Sequence, residues 1–136
     1  MPQREVVMAL VRDPESRVLM ERRPPQGVWG GLWSLPEAPN EDECRSWLAH
    51  CFGDTVHSVV PRKPLTHTFT HFHLRIQPLQ VAVTRPPMRA MDGDRWLWYN
   101  GRVHKCGMPA PVRRLIQEIV GDEHDGANSE MREAGL

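Results

Sequence analysis

No stretch of 18 apolar residues occurs in this sequence, so no transmembrane helix is expected. The N-terminal "MPQREVVMALV" lacks the layout of a signal peptide, which predicts a cytoplasmic protein. Cysteine is scarce: Cys44, Cys51 and Cys106 form no CxxC pair and no cluster-binding run. An odd count at such spacings points to reduced thiols rather than a disulfide framework. Charge of one sign is also lacking, since 17 basic and 17 acidic residues cancel. That balance argues against a strongly basic nucleic-acid binder, but it is uneven along the chain. The closing "DEHDGANSEMREAGL" holds five acids and one arginine, a net −4, which leaves +4 on everything before it. This polar, aperiodic end predicts a disordered acidic tail over 121–136 after one domain over 1–120. The domain is mildly basic, which suits a polyanion partner. Its length and 40% hydrophobic content suffice for one core.

The order of elements is legible in the patterning. "EVVMALVR" (Glu5–Arg12) is a buried-strand run, "DPES" a turn, and "RVLMERR" (Arg17–Arg23) a second strand, together a hairpin. "NEDECRSWLAHCF" predicts a helix capped by Asn40, with Trp47, Leu48, Cys51 and Phe52 on one apolar face. "VHSVV" reads as a short strand. "LTHTFTHFHLRIQPLQVAV" (Leu65–Val83) reads as strand with a break near Thr68–Thr70. "DRWLWYN" predicts another strand. In "PAPVRRLIQEIV", Val112, Leu115, Ile116 and Ile119 share one helical stripe. The fold class is therefore α+β, a mixed or antiparallel sheet packed between two helices. No internal repeat is present.

Between the hairpin and the first helix lies "RRPPQGVWGGLWSLPE", too irregular for a helix and too broken for a central strand. Gly31, Glu37 and Arg45 follow the spacing G-x5-E-x7-R, which resembles the start of the Nudix box. That box continues with acids that hold the magnesium activating water against a pyrophosphate. Here Ser46, Trp47, Leu48, Ala49 and His50 stand in those positions, and none is acidic. Glu41, Asp42 and Glu43 come too early in the helix and fall near its positive end.

A wider resemblance is carried by "VLMERRPPQGVWGGLWSLPE", "LTHTFTHFHL", "LWYN" and "GMPAPVRRLI", in that order. They are similar to the C-terminal domain of the MutY family, the bacterial adenine DNA glycosylases, and cover roughly Val6 to Val120. The resemblance implies a Nudix-like fold without hydrolase activity that reads 8-oxoguanine opposite a mispaired adenine in base excision repair. It implies double-stranded DNA containing 8-oxoguanine:adenine and the family's own N-terminal catalytic domain as partners, near the nucleoid and away from membranes. The glycosylase chemistry and a 4Fe-4S cluster belong in that family to the N-terminal domain, whose motifs this sequence lacks. It thus resembles an excised domain, with no catalytic residue, metal ligand or cofactor of its own expected.

The resemblance also implies roles for particular residues. Phe69-Thr70-His71 match the family's Phe-Ser-His loop at the damaged base, with Thr in place of Ser keeping the hydroxyl. A hydroxyl both donates and accepts, which suits the N7–H and O8 edge that 8-oxoguanine has and guanine lacks. From the residues alone, Phe69 reads as core and Thr70 as an ordinary strand residue. Arg22 and Arg23 with Gly30 and Gly31 are expected on the DNA backbone, where bare glycine backbone approaches phosphates. Trp29 and Trp33 read either as loop-anchoring packing or as stacking surfaces for a base. His67, His71 and His73 suggest a metal only weakly, because no cysteine or carboxylate completes a tetrahedral set. Two alternatives stay open: an active Nudix pyrophosphohydrolase, and a protein-interaction module without DNA affinity.

Overall fold

The structure, a computed structural model, describes residues 1–86, 93–101 and 106–121. Strand β1 (Gln3–Arg12) is its central spine. Its residues 7 to 11 are all buried, so both faces of the strand are covered. It pairs in parallel with the eleven-residue β7 (His73–Val83) over ten consecutive positions, from Gln3 opposite His73 to Arg12 opposite Ala82. Parallel neighbours need a long crossover, and the chain between them supplies it. Strand β2 (Val18–Arg22) returns antiparallel to β1, while β3 (Trp33–Ser34) lies on β2 and β4 (Glu37–Ala38) on β1. Strands β5 (Val56–Pro61) and β6 (Leu65–Thr68) pair with the two halves of β7, and β8 (Trp96–Tyr99) with β2. The mixed sheet expected from the sequence is present.

Period-two alternation decides which helix each side chain meets. Val7, Ala9, Val11, Leu19, Leu79 and Val81 face helix α1 (Glu41–Phe52) and pack on Cys44, Leu48 and Phe52. Met8, Leu10, Val18, Met20, Leu74 and Ile76 face helix α2 (110–121) and pack on Val112, Leu115 and Ile119. The sheet therefore separates two apolar layers, one per helix. Asn40 caps α1 as expected, its side chain accepting from the Glu43 N–H at 2.8 Å. The α1 apolar face includes Cys44, one turn before the residues the pattern had named. At the β1–β2 turn Asp13 accepts from the Glu15 and Arg17 backbones and from the Arg17 guanidinium at 2.7–3.0 Å. The expected disordered tail falls, from residue 122 on, outside the described residues.

Candidate nucleic-acid interface

The break expected near Thr68–Thr70 is a hairpin tip. Strand β6 ends at Thr68 opposite His73, the first residue of β7. The Phe69 N–H donates to the Phe72 carbonyl at 2.8 Å, leaving Thr70 and His71 as the two residues that turn the corner. Both are exposed. One rung below, Thr68 Oγ1 and His73 Nδ1 lie 2.9 Å apart. Such a short connection fixes the register and holds the tip in place.

A run of rings supports that tip. Phe69 and Phe72 stack with centroids 4.6 Å apart, and His67 meets the Phe69 edge at 4.7 Å. Trp29, from the Pro/Gly loop, leans on Phe69 at 5.2 Å and on His67 at 5.7 Å. The Arg4 guanidinium lies 4.4 Å over the far ring, Phe72. Trp29, Trp33, Phe69 and Phe72 are all half-buried against the α2-side core. Phe69 thus anchors the tip, and the two loop tryptophans are packing residues. The core reading of Phe69 holds, and a packed ring there fixes its exposed neighbours Thr70 and His71.

The loop from Arg22 to Glu37 closes on itself. Arg23 points inward: its Nε donates to the Val28 carbonyl at 2.8 Å and an Nη pairs with Glu37 at 2.9 Å. Arg22 is exposed, and its Nε makes a long 3.4 Å hydrogen bond to the Gly31 carbonyl. The Gly31 N–H is shared between the Arg23 and Pro24 carbonyls, and Gly31 sits at φ +75°, where glycine is favoured. Gly30 is required for another reason. A Cβ there would lie 2.3 Å from the Pro25 carbonyl oxygen. Trp29 holds a left-handed φ of 57°, an uncommon state for a bulky residue, secured by the ring contacts around it. The structure thus brings Phe69, Thr70 and His71 together and gathers Arg22, Arg23, Gly30 and Gly31 in the adjoining loop. Trp29 joins the two groups. Arg4 and Phe72, which the sequence reading left out, belong to the same surface, and the arginine over a ring is a three-dimensional feature without a local motif.

Helix α1 carries the opposite character. Glu41, Asp42 and Glu43 crowd its first turn, and only Glu41 pairs with Arg45 among the described residues, at 3.1 Å. Ser46, Ala49 and His50 are exposed and supply no carboxylate. A hard divalent cation needs oxygen ligands, so the donor set of α1 does not fit the magnesium of a Nudix hydrolase. Among the described residues no three His, Cys, Asp or Glu side chains converge as a metal site. The free thiols are dulled by burial, which pushes Cys44 up to about 11 and also raises Cys51 and Cys106. No helix among the described residues is long and apolar enough to cross a membrane.

Known proteins agree with this architecture. The profile of the NUDIX domain family matches residues 7–118. Adenine DNA glycosylase of Buchnera aphidicola subsp. Baizongia pistaciae is 22% identical over 111 residues, covering 81% of this chain and 31% of that protein. The chain spans about a third of the length of the curated relatives it matches. The C-terminal domain of mouse MUTYH, solved in complex with human PCNA, superposes with a TM-score of 0.70 at 15% identity, covering 88% of each chain. The NUDIX domain of Shewanella oneidensis NrtR, solved with ADP ribose, gives 0.64 at 12% identity over 90% of this chain and 89% of that one. This chain belongs to the NUDIX domain family, with sequence relatives among the adenine DNA glycosylases.

Proposed function

We propose that the chain is the lesion-reading domain of an adenine DNA glycosylase, holding duplex DNA that carries 8-oxoguanine opposite adenine. The observation that carries this reading is the exposed Thr70–His71 tip braced by Phe69, Phe72 and Trp29. A base-edge reader must hold its hydrogen-bonding atoms still, and stacked rings beneath a two-residue turn do that. On 8-oxoguanine the Thr70 hydroxyl accepts from N7–H or donates to O8; on guanine only the N7 acceptor remains. Arg22, with the Gly30–Gly31 loop that Arg23 braces, rests on phosphates, which position without specifying sequence. The acidic turn of α1 lies across the sheet and repels a polyanion there, which orients the DNA to the tip side. Adenine removal and the iron–sulfur cluster belong, on this reading, to a separate catalytic domain.

Two outcomes follow. Arg22→Ala weakens binding to 8-oxoguanine:adenine and guanine:adenine duplexes about equally and lowers the slope of log K against log salt by about 1. Fluorescence anisotropy at several salt concentrations measures both; an unequal loss between duplexes would move Arg22 from the backbone to the base. The chain with magnesium is also expected to release no monophosphate from oxidised dGTP, because α1 offers no carboxylate at residues 46, 49 and 50. Steady turnover abolished by a chelator would favour the hydrolase alternative instead.

A further inference from the structure

An open groove of about 740 Å³ lies where β1 and β7 end, beside β5. From His73 to Ala82 strand β7 rises about 30 Å, so the groove is remote from the hairpin tip. Alternation shows which face it occupies. Arg12 keeps the parity of Met8 and Leu10 along β1, and Gln80 and Ala82 keep that of Leu74 and Ile76 along β7, so all point to the α2 face. Ser58 and Val60 stand opposite Ala82 and Gln80 and share that face. Arg12, Arg62 and His57 line the groove, and the Arg62 Nη1 donates to the Gln80 Oε1 at 3.0 Å. Asp13 is the one acid in its walls among the described residues. Its carboxylate is held by two backbone N–H groups and the Arg17 guanidinium. Val60, in the floor, is 48% exposed. Net positive charge thus surrounds an uncovered apolar patch.

We propose that this groove holds the chain's own acidic C-terminal segment, which begins at Asp122. Helix α2 delivers the segment to the right side of the sheet. The Trp33 N–H, on β3, donates to the Gly107 carbonyl at 2.9 Å, so α2 starts beside the β3 edge. The strands run β3-β2-β1-β7-β5, and α2 packs on residues of β1 and β7, so it crosses the sheet toward β5. Strands about 4.8 Å apart put β5 roughly 19 Å from β3. A helix over 110–121 is about 18 Å long, which brings Gly121 to the β5 side. Asp122, Glu123 and Asp125 follow within four residues, a reach of up to about 14 Å. The segment carries five acids and one arginine, opposite in sign to Arg12, Arg62 and His57. Guanidinium groups take carboxylates in paired hydrogen bonds. A tether this short gives an effective concentration on the order of millimolar, so individually weak pairs suffice to keep the segment docked. Docking covers Val60 and cancels basic charge on a face away from the tip. It does not require the tip to read the lesion.

The test is nitrogen-15 NMR of the full chain against a triple variant, Asp122→Asn with Glu123→Gln and Asp125→Asn. These changes leave every residue of the sheet and of both helices as it is, so the fold is not at stake. The backbone amides of Ser58, Val60, Gln80 and Ala82 are expected to differ between the two chains. Raising sodium chloride from about 20 mM to about 0.5 M should move the same amides in the parent chain, because screening loosens exposed ion pairs. The triple variant should lose most of that salt response. Arg62→Gln, with retained amide dispersion showing that it folds, should in turn move the Asp122 and Glu123 amides. Groove amides identical in parent and triple variant overturn the proposal. Differences that grow with protein concentration overturn it as well, since they assign the groove to the segment of a second copy. An 8-oxoguanine:adenine duplex that moves the groove amides where the triple variant does not would give this face to DNA instead and equally overturn the docking.

Discussion

Gly30→Ala is expected to lower the folding free energy by about 1–3 kcal/mol and to loosen lesion discrimination at the same time. The added Cβ would sit 2.3 Å from the Pro25 oxygen and 2.8 Å from the Pro25 carbonyl carbon. Both are backbone atoms of a Pro-Pro pair whose φ angles are fixed near −65°, so no side chain can swing away. The loop must move, and Trp29 moves with it. Trp29 is the ring that ties the loop to Phe69 and His67. A steric change in one loop is therefore transmitted to the hairpin tip. Gly107→Ala is the control: its nearest neighbour is the Leu32 Cδ2 at 3.4 Å, an ordinary contact with the end of a flexible side chain. That variant should stay within about 0.5 kcal/mol of the parent. Urea unfolding of both decides the matter, and equal midpoints would show that the loop yields freely.

Thr70→Ala is expected to act on recognition and leave stability nearly unchanged, since Thr70 is exposed at the tip. Losing one base-edge hydrogen bond costs about 1–3 kcal/mol of discrimination. The ratio of dissociation constants for guanine:adenine and 8-oxoguanine:adenine duplexes should then fall by about 5- to 150-fold. The low end is expected for an exposed hydroxyl that water can replace. Thr70→Ser keeps the hydroxyl and should restore the ratio. Affinity for the guanine:adenine duplex should hardly change in either variant, in contrast to the uniform loss from Arg22→Ala. A Thr70→Ala chain that retains its full ratio removes the tip from base reading.

Local pattern and tertiary contact divide what was legible in the sequence. Both helices announced themselves: Asn40 with Glu43 marks the start of α1, and the stripe of Val112, Leu115 and Ile119 marks α2. The β1–β2 hairpin followed from Asp13-Pro14 between two apolar runs. Strands β3 and β4 did not show, because two-residue strands inside a Pro/Gly loop have no periodicity to read. The ten-rung parallel pairing of β1 with β7 was also hidden, since register between strands some seventy residues apart leaves no local trace. At the site, Phe69 was readable as either core or contact, and only the Trp29 and Phe72 rings around it show that it anchors the tip. Arg23 was expected beside Arg22 on phosphates. The structure places it on Val28 and Glu37, because β2 ends at Arg22 and Arg23 begins the loop that closes back on itself. The glycines were expected to leave backbone bare. Gly30 instead makes room for Pro25, and the Gly31 N–H is used within the loop.

The central claim is that the hairpin tip of this chain reads the lesion in duplex DNA. Residue-resolved NMR of the chain, titrated in parallel with 8-oxoguanine:adenine and guanine:adenine duplexes of one sequence, tests it most directly. Tighter binding of the lesion duplex is expected, with shifts at Arg22 and its loop common to both duplexes. The Thr70 and His71 amides should respond to the lesion in a way the guanine duplex does not reproduce. Equal affinities with identical shifts, or shifts centred on the acidic turn of α1 at Glu41–Glu43, would contradict it.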